Sequence, residues 1–419
     1  APSPTAPISF GRFATIGRMT SRLLRMALVL GLLSAIGPFA IDMYLPALPA
    51  IGASLHADIG AVQMSLTVFF LALGIGQLLY GPVSDMVGRK PPLYFGLLLF
   101  VAASIGCAMA QSVDTLVLLR FLQGLGAAAG MAIPRAVVRD LHTGTDAARL
   151  MSLLMLVFSV SPILAPLAGS GVIALAGWRG VFWVVAVAGI AGIGMLAFML
   201  RETRDAKERL DSSLGGALRA YGVLLRDPHY LGLVFIGAFA MGGFFVYLAN
   251  SSFVFIDHYG LTPTQYSLAF GVNAAGFIGA SQFTGTLGER IGLVPLVRRA
   301  VLACGMVMVG LMGYFLAGGD NFWVLIALYF VASAFMGFVI PTTGVLALEA
   351  HGAIAGTASA LLGTLQMLTG AVLMAAIAVF TNGSPIAMVA GMTLGAGIAL
   401  VLTWMTLGSQ GLGARAVRT

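Results

Sequence analysis

Charged residues are scarce in this chain. Only 9% of its 419 residues are Asp, Glu, Lys or Arg, 59% are hydrophobic, and the mean hydropathy is +1.00. Because a soluble domain is about 25% charged, this composition excludes an ordinary soluble enzyme. The net charge of +7 is better explained by basic loops beside a membrane than by a nucleic-acid partner.

Cysteine and mid-helix histidine are equally sparse. The two cysteines, Cys107 and Cys304, fall in apolar runs of opposite halves, which indicates neither a disulfide framework nor a metal site. All five histidines lie near the ends of apolar runs. A membrane-embedded enzyme would need a cluster of catalytic groups, and none is visible. We therefore predict a protein that is not an enzyme and uses no cofactor.

Apolar runs fill most of the chain. Twelve of them, each about 20 residues or longer, lie between residues 26 and 407, and about 20 apolar residues suffice to cross a bilayer as a helix. We predict an all-α polytopic membrane protein with twelve transmembrane helices in two pseudosymmetric six-helix halves. The predicted parts are an N-terminal tail (1–25), a first bundle (26–200), a linker (201–227), a second bundle (228–407) and a C-terminal tail (408–419).

The basic residues are distributed to one side of these runs. If the N-terminus is cytoplasmic, 20 of the 22 Lys and Arg residues fall in cytoplasmic loops and ends, the exceptions being Arg120 and Arg179. Since cytoplasmic loops carry an excess of Lys and Arg, we predict that both termini, the linker and both tails are cytoplasmic. A bacterial inner membrane protein, present as a monomer in contact with lipid, fits this pattern.

The two halves share a loop pattern. Residues 81–88 read Gly-Pro-Val-Ser-Asp-Met-Val-Gly, and residues 285–292, 204 positions later, read Gly-Thr-Leu-Gly-Glu-Arg-Ile-Gly. Matching glycines and an acid in equivalent loops indicate two parallel halves related by an axis along the membrane normal. Such halves place a binding site between them near the midplane.

Two charged residues stand inside apolar runs. Asp42 lies in the first run and Arg120 in the fourth, both in the outer part of the membrane, where charges are costly and usually functional. We predict that they pair, directly or through water and Gln123, and that the pair couples transport to protons. The positions 204 residues later are valines, Val246 and Val324, so proton coupling is expected in the first half alone. The alternatives are an Asp42 that reaches outer water and an Arg120 that extends to the outer interface.

A second set of residues is predicted to shape loops and gates. Asp85 is expected to accept hydrogen bonds from a neighbouring helix N-terminus or to pair with a basic residue such as Arg139. Pro162 and Pro166 lie four residues apart in the fifth run and predict a bent helix. The full set is Gly81, Asp85, Gly88, Arg89, Lys90, Arg139, Pro162, Pro166, Gly169, Glu289 and Arg290.

Several of these elements together resemble a known family. Residues 81–90, residues 120–124 (Arg-Phe-Leu-Gln-Gly) and residues 165–169 (Ala-Pro-Leu-Ala-Gly) resemble the three motifs of the twelve-span drug–proton antiporters of the major facilitator superfamily. Residues 41–49 (Ile-Asp-Met-Tyr-Leu-Pro-Ala-Leu-Pro) resemble more narrowly its Bcr/CflA branch, associated with bicyclomycin and chloramphenicol resistance. The resemblance implies export of uncharged or cationic amphiphiles against an inward flow of protons.

The predicted function is a proton-coupled exporter of small amphiphilic drugs. Polar and aromatic residues at mid-membrane depth are the expected wall of its pocket, because ligand pockets are apolar with a few placed polar groups. One alternative is a proton-coupled exporter or importer of a single metabolite such as an amino acid or sugar, and a polytopic membrane enzyme is a third class. The predicted substrate-binding residues are Tyr44, Gln123, Phe158, Phe244, Tyr247, Asn250, Asn273 and Gln366.

Overall fold

The computed structural model describes residues 21–141, 144–204 and 214–408. The predicted N-terminal tail up to residue 20, the linker residues 205–213 and the C-terminal tail from residue 409 lie outside these described ranges. The described chain is helical almost throughout. Its α-helices are α1 Ser21–Asp42, α2 Leu48–Leu55, α3 Ile59–Val87, α4 Lys90–Met109, α5 Val113–Leu141, α6 Gly144–Phe198, α7 Leu214–Leu224, α8 Pro228–Ser252, α9 Pro263–Gln282, α10 Thr284–Ile291, α11 Leu293–Leu316, α12 Phe322–Glu349, α13 Ala355–Ala378 and α14 Pro385–Leu407.

Twelve of these helical segments cross the membrane. Ten stretches of the described residues are long and apolar enough to do so. The longest, Leu150–Phe198, is broken at Gly177, where φ is 67° and ψ is −178°, and therefore supplies two spans, the first and second arms of α6. Helix α9 is less apolar because it contains several amide side chains, but it is long enough to cross the membrane and is counted as the twelfth span.

Small residues set the spacing within each half. Helix α5 packs between α3 and α4, and a Cβ at Gly124 would overlap the backbone of Phe69 on α3. The first arm of α6 approaches the end of α1 equally closely, because a Cβ at Gly169 would overlap the carbonyl oxygen of Met43. The halves meet where α3 packs on α13 and where the first arm of α6 packs on α9.

The two faces of the protein differ. We call the face where α1 begins and α14 ends the terminal face, and the other the opposite face. At the opposite face the halves are joined: Gln63 of α3 donates from Nε2 to Asn250 Oδ1 (3.0 Å) and to the carbonyl of Ala249 (3.1 Å) on α8. Deeper in, Phe70 and Phe245 stack across the halves with ring centroids 4.3 Å apart.

At the terminal face the halves are separated by a cavity of about 740 Å³. Helices α3 and α5 and the start of α6 form one wall, the first turns of α13 form the other, and α7 lies along its edge. Tyr221 of α7 reaches the carbonyl of Leu78 on α3 at 3.4 Å. The chain is therefore closed at the opposite face and open at the terminal face.

Candidate functional site

Asp42 is the last residue of α1 and is buried, with 6% of its surface exposed. Its Oδ2 accepts a hydrogen bond of 2.9 Å from the hydroxyl of Ser161 on the first arm of α6. Within the described ranges no basic side chain lies at ion-pair distance from it. Asp42 is thus a buried carboxylate whose charge, when present, has no cation beside it.

Arg120 is fully buried in the same half but faces other neighbours. Its guanidinium carbon lies 4.3 Å from the ring centre of Tyr44 and 4.2 Å from that of Phe69, so the group is held between two aromatic rings. One guanidinium nitrogen donates to Gln123 Oε1 (2.6 Å) and to the carbonyl of Ala40 (3.3 Å). Of the pairing predicted from sequence, directly or through water and Gln123, the direct form is absent in this arrangement, whereas the contact of Arg120 with Gln123 is present.

Tyr44 and Gln123 belong to this core and not to the cavity. The Tyr44 hydroxyl is 2.6 Å from Ser65 Oγ, and Gln123 donates to Ser104 Oγ at 2.7 Å. Both side chains are completely buried. Their polar atoms hold the helices of the first half together, so the expectation that they face a substrate does not fit this state of the protein.

The predicted binding residues of the second half form an aromatic and amide cluster. Asn273 donates to the hydroxyl of Tyr247 (3.0 Å), and Tyr247 lies 4.2 Å from the ring of Tyr329. Asn250 bridges Gln63 and Thr381 at the opposite face and so joins the halves.

The remaining three candidates lie at mid-membrane depth in different helices. Gln366 is buried in α13, whereas Phe158 and Phe244 are only half-buried. None of the eight predicted substrate-binding residues lines the large cavity in this conformation.

The loop after α3 is organised by Arg89. Its guanidinium holds Asp140 with two hydrogen bonds (2.7 and 3.0 Å), Asp85 at 2.6 Å and Ser84 at 2.8 Å. Burial alone would lower the pKa of Arg89, but the hydrogen bonds and charges of Asp140 and Asp85 outweigh it and raise that pKa. The basic partner of Asp85 is therefore Arg89, and not Arg139, which the sequence offered as an example of such a partner.

Glu202, which sequence reasoning missed, completes this loop. Its carboxylate accepts hydrogen bonds from the backbone N–H groups of Arg89 (2.8 Å) and Lys90 (3.1 Å). Burial opposes its charge, but these bonds and those from Arg204 and Thr203 lower the pKa of Glu202. The sequence signal for this contact was an acidic residue directly after the sixth span, at the same membrane face as the Gly-Arg-Lys loop of the same half.

The loop repeat is present in the backbone. Gly88 has φ 99° and ψ 167°, and Gly292 has φ 84° and ψ 150°, a conformation that favours glycine. Gly81 and Gly285 both face open space. Glu289 and Arg290 form no ion pair within the described part of the chain, so the second half keeps the turn without the charge network.

The proline-containing helix contacts the other half. Pro162 and Pro166 lie inside the first arm of α6, where each removes a backbone donor. The Pro166 carbonyl accepts a hydrogen bond of 2.9 Å from Ser267 Oγ on α9. The first arm of α6 therefore contacts both the end of α1, at Gly169, and the second half, at Pro166.

Comparison with known proteins agrees with this architecture. Residues 30–374 match the Major Facilitator Superfamily. The chain is 38% identical over 351 residues to an uncharacterized MFS-type transporter, YdgK, of Bacillus subtilis, covering 83% of this chain and 87% of that protein. It is 32% identical to the multidrug resistance protein D of Escherichia coli and 29% identical to a bicyclomycin resistance protein homolog of Haemophilus influenzae, in each case covering 93% of this chain and 97% of the relative.

Solved structures with the same fold share little sequence. A D-xylose–proton symporter superposes with a TM-score of 0.71 at 16% identity, covering 91% of this chain and 97% of that one. A partially occluded, inward-open form of the Escherichia coli xylose transporter XylE superposes with a TM-score of 0.70 at 14% identity, covering 92% and 98%. At these identities the likeness concerns the fold alone.

Proposed function

Because this chain belongs to the Major Facilitator Superfamily, we propose that it is a secondary transporter that exports small amphiphilic drugs in exchange for protons. Its relatives over nearly the whole chain include proteins named for multidrug and bicyclomycin resistance. We propose compounds of the bicyclomycin or chloramphenicol kind as cargo on the basis of those names and of the shared sequence motifs.

The main support for the proposal is that the protein is closed at one face and open at the other. A single chain is closed by Gln63 and Asn250 at one face and opens to a cavity of about 740 Å³ at the other. Drug-sized ligands occupy pockets of about 300–1,000 Å³. A protein that closes one face while opening the other can move a solute by alternating access, with each half acting largely as a rigid body.

We propose that the terminal face is cytoplasmic, since the excess of Lys and Arg lies there. The protein is a multi-pass membrane protein, and its bacterial relatives support placement in the inner membrane. The cavity then faces the cytoplasm, where an exporter loads its cargo. One chain contains both halves of the path, which supports a monomer that works without a cofactor.

The proton site of this proposal is Asp42. Burial of an unpaired charge is costly, and the described partner of Asp42 is the neutral hydroxyl of Ser161. We expect the carboxyl group to take up a proton from the outer side, to hold it while enclosed, and to release it to the cytoplasm once water from the terminal-face cavity reaches it. Arg120 serves this site indirectly, by fixing Tyr44 and the end of α1 through its ring contacts and Ala40.

The test is transport in inside-out membrane vesicles with an imposed, interior-acid pH gradient. We expect chloramphenicol or bicyclomycin to accumulate inside, and an uncoupler to abolish the accumulation. A host lacking its own pumps should also gain tolerance to at least one such compound when it expresses the chain. Equal accumulation with and without the gradient would contradict proton coupling, and the absence of any accumulation would contradict drug export.

A further inference from the structure

The cavity at the terminal face contains positive charge that its own carboxylates do not neutralise. Six charged side chains line it, four of them arginines and two of them aspartates. They are Arg89, Arg135, Arg139, Arg204, Asp85 and Asp140. Both aspartates are bound by Arg89, so neither of them neutralises Arg135 or Arg139.

Arg135 and Arg139 carry this unneutralised charge. They lie four residues apart on α5, where Cβ atoms on one helix face are about 5–6 Å apart. Arg135 donates from Nε to the Met131 carbonyl of its own helix at 3.0 Å. Within the described ranges neither guanidinium lies at ion-pair distance from a carboxylate. Two like charges on one helix face repel each other. An anion bound between these two arginines and the opposite wall of the cavity would therefore be stabilised by both charges.

The opposite wall of the cavity adds donors to this pair. Helix α13 starts there with no acidic residue in its first turn and no side-chain cap, so its N-terminus presents partial positive charge. Arg139 lies directly against it: a Cβ at Gly356 would come within 2.9 Å of an Arg139 nitrogen. Thr357 and Ser359 of the same turns also line the cavity. Guanidinium and hydroxyl donors facing one space form a site for a carboxylate or a phosphate.

We infer that this cavity receives its cargo through an anionic group, and that the exporter takes acidic amphiphiles in preference to cationic ones. The inference rests on the proposed function, because it names the substrate class of that same path. It differs from the sequence-based expectation of uncharged or cationic cargo. A cation that enters this cavity would meet Arg135 and Arg139 in its lining and be repelled, whereas an anion would be attracted by them.

The experiment compares two dyes of one scaffold: fluorescein, an anionic xanthene, and rhodamine 6G, a cationic one. Their uptake into inside-out vesicles is measured with an imposed pH gradient and with the membrane potential clamped by K⁺ and valinomycin, so that charge alone does not drive movement. We expect faster gradient-driven uptake of fluorescein. Arg135→Gln and Arg139→Gln should each reduce fluorescein uptake about tenfold, while uptake of neutral chloramphenicol stays within about twofold. Arg226→Gln, which removes an exposed arginine outside the cavity lining, is the matched control.

Two further measurements keep the inference testable if a variant misfolds or transport fails. Fluorescein binding to the purified wild-type protein, followed by fluorescence anisotropy, should weaken as ionic strength rises, because screening shortens the Debye length from about 30 Å at 0.01 M to about 3 Å at 1 M. Binding that depends on Arg135 and Arg139 without gradient-driven uptake would contradict the proposed function and leave the anion site standing. Equal or better uptake of rhodamine 6G, or losses shared by all three probes, would overturn the inference and leave proton-coupled export intact.

Discussion

Asp42 and Ser161 are joined by a hydrogen bond of 2.9 Å that ties the end of α1 to the first arm of α6. Eight residues further along that arm, Gly169 brings the same helix against Met43. The carboxylate therefore lies between two helices of one half, beside the arm that meets the second half through Pro166 and Ser267. A change in the charge of Asp42 acts directly on a helix that must move when the halves exchange contacts.

The packing of Gly169 gives the first prediction. Gly169→Ala should destabilise the protein by about 1–3 kcal/mol, because the added methyl group would overlap the Met43 carbonyl. Gly171→Ala is the matched control, since a Cβ at Gly171 meets nothing within 4 Å and alanine favours the helix. Thermal unfolding of the detergent-purified variants, followed by size-exclusion chromatography, is the measurement. Equal stability of the two variants would show that the helices separate easily at this contact.

The stacked position of Arg120 gives the second prediction. Arg120→Lys should lower stability by on the order of 2 kcal/mol, because lysine has no planar fork to lie between Tyr44 and Phe69 while holding Gln123. Arg179→Lys is the comparison. Arg179 lies 4.1 Å from the Trp178 ring but is only half-buried, so a lysine there stays solvated and the loss should be smaller. A lysine at position 120 with unchanged melting temperature would refute the structural role assigned to that arginine.

The amide contact between the halves gives the third prediction. Asn250→Ala removes the hydrogen bond to Gln63 of the other half, worth about 1 kcal/mol or roughly a fivefold shift in the opening equilibrium; the bond to Thr381 that is also lost lies within the second half. The protein should then open more often at the opposite face. A cysteine introduced at Phe70, whose ring stacks on Phe245 of the other half, and probed with a membrane-impermeant thiol reagent in a cysteine-free background shared by all variants, measures that opening. Asn273→Ala, which alters a contact inside the second half only, should leave the labelling rate unchanged.

A fourth prediction concerns acid stability at the terminal face. Asp227 caps α8 by accepting from the N–H groups of His229 and Tyr230, and it lies 2.8 Å from His351 Nε2. Burial is the largest single effect and would raise the pKa of Asp227, but these hydrogen bonds and the His351 charge together outweigh it and lower that pKa below its ordinary value of 3.8. A carboxyl whose pKa is lower in the folded protein stabilises it above that ordinary value, and the contribution is lost as pH falls through the folded pKa.

The variant Asp227→Asn keeps a capping side chain and removes the charge. Wild-type protein should therefore lose its stability advantage over this variant as pH falls below about 4. Melting temperatures between neutral pH and pH 3 for the two proteins measure the difference. A constant difference across that range would show that the charge of Asp227 contributes nothing to the fold.

The architecture could be predicted from the sequence because bilayer crossing imposes long apolar runs and leaves charges in loops. The break of α6 falls at Gly177, where the structure separates the fifth of the twelve apolar runs from the sixth. The glycine turns of the repeated loop were likewise visible, since the same spacing returns 204 residues later and both terminal glycines adopt positive φ.

The partners of the charged residues could not be predicted in the same way. Sequence position along a helix gives the depth of Asp42 and Arg120 in the membrane but not the direction each side chain faces, and the structure turns them toward Ser161 and Gln123. Most of the residues that line the cavity at the terminal face were also missed. Which face is open depends on a conformational equilibrium between two packed arrangements, and composition does not reveal which one is adopted.

If protonation of Asp42 drives export, the variant Asp42→Asn should lose proton-coupled transport. Asparagine keeps the size of the side chain and can still accept the Ser161 hydrogen bond, but it cannot exchange a proton. In inside-out vesicles, drug accumulation driven by an imposed pH gradient should fall to the uncoupled level, while the variant inserts, purifies and binds drug as the wild type does. If Asp42→Asn still accumulates drug uphill with the wild-type dependence on the pH gradient, Asp42 is not the proton site.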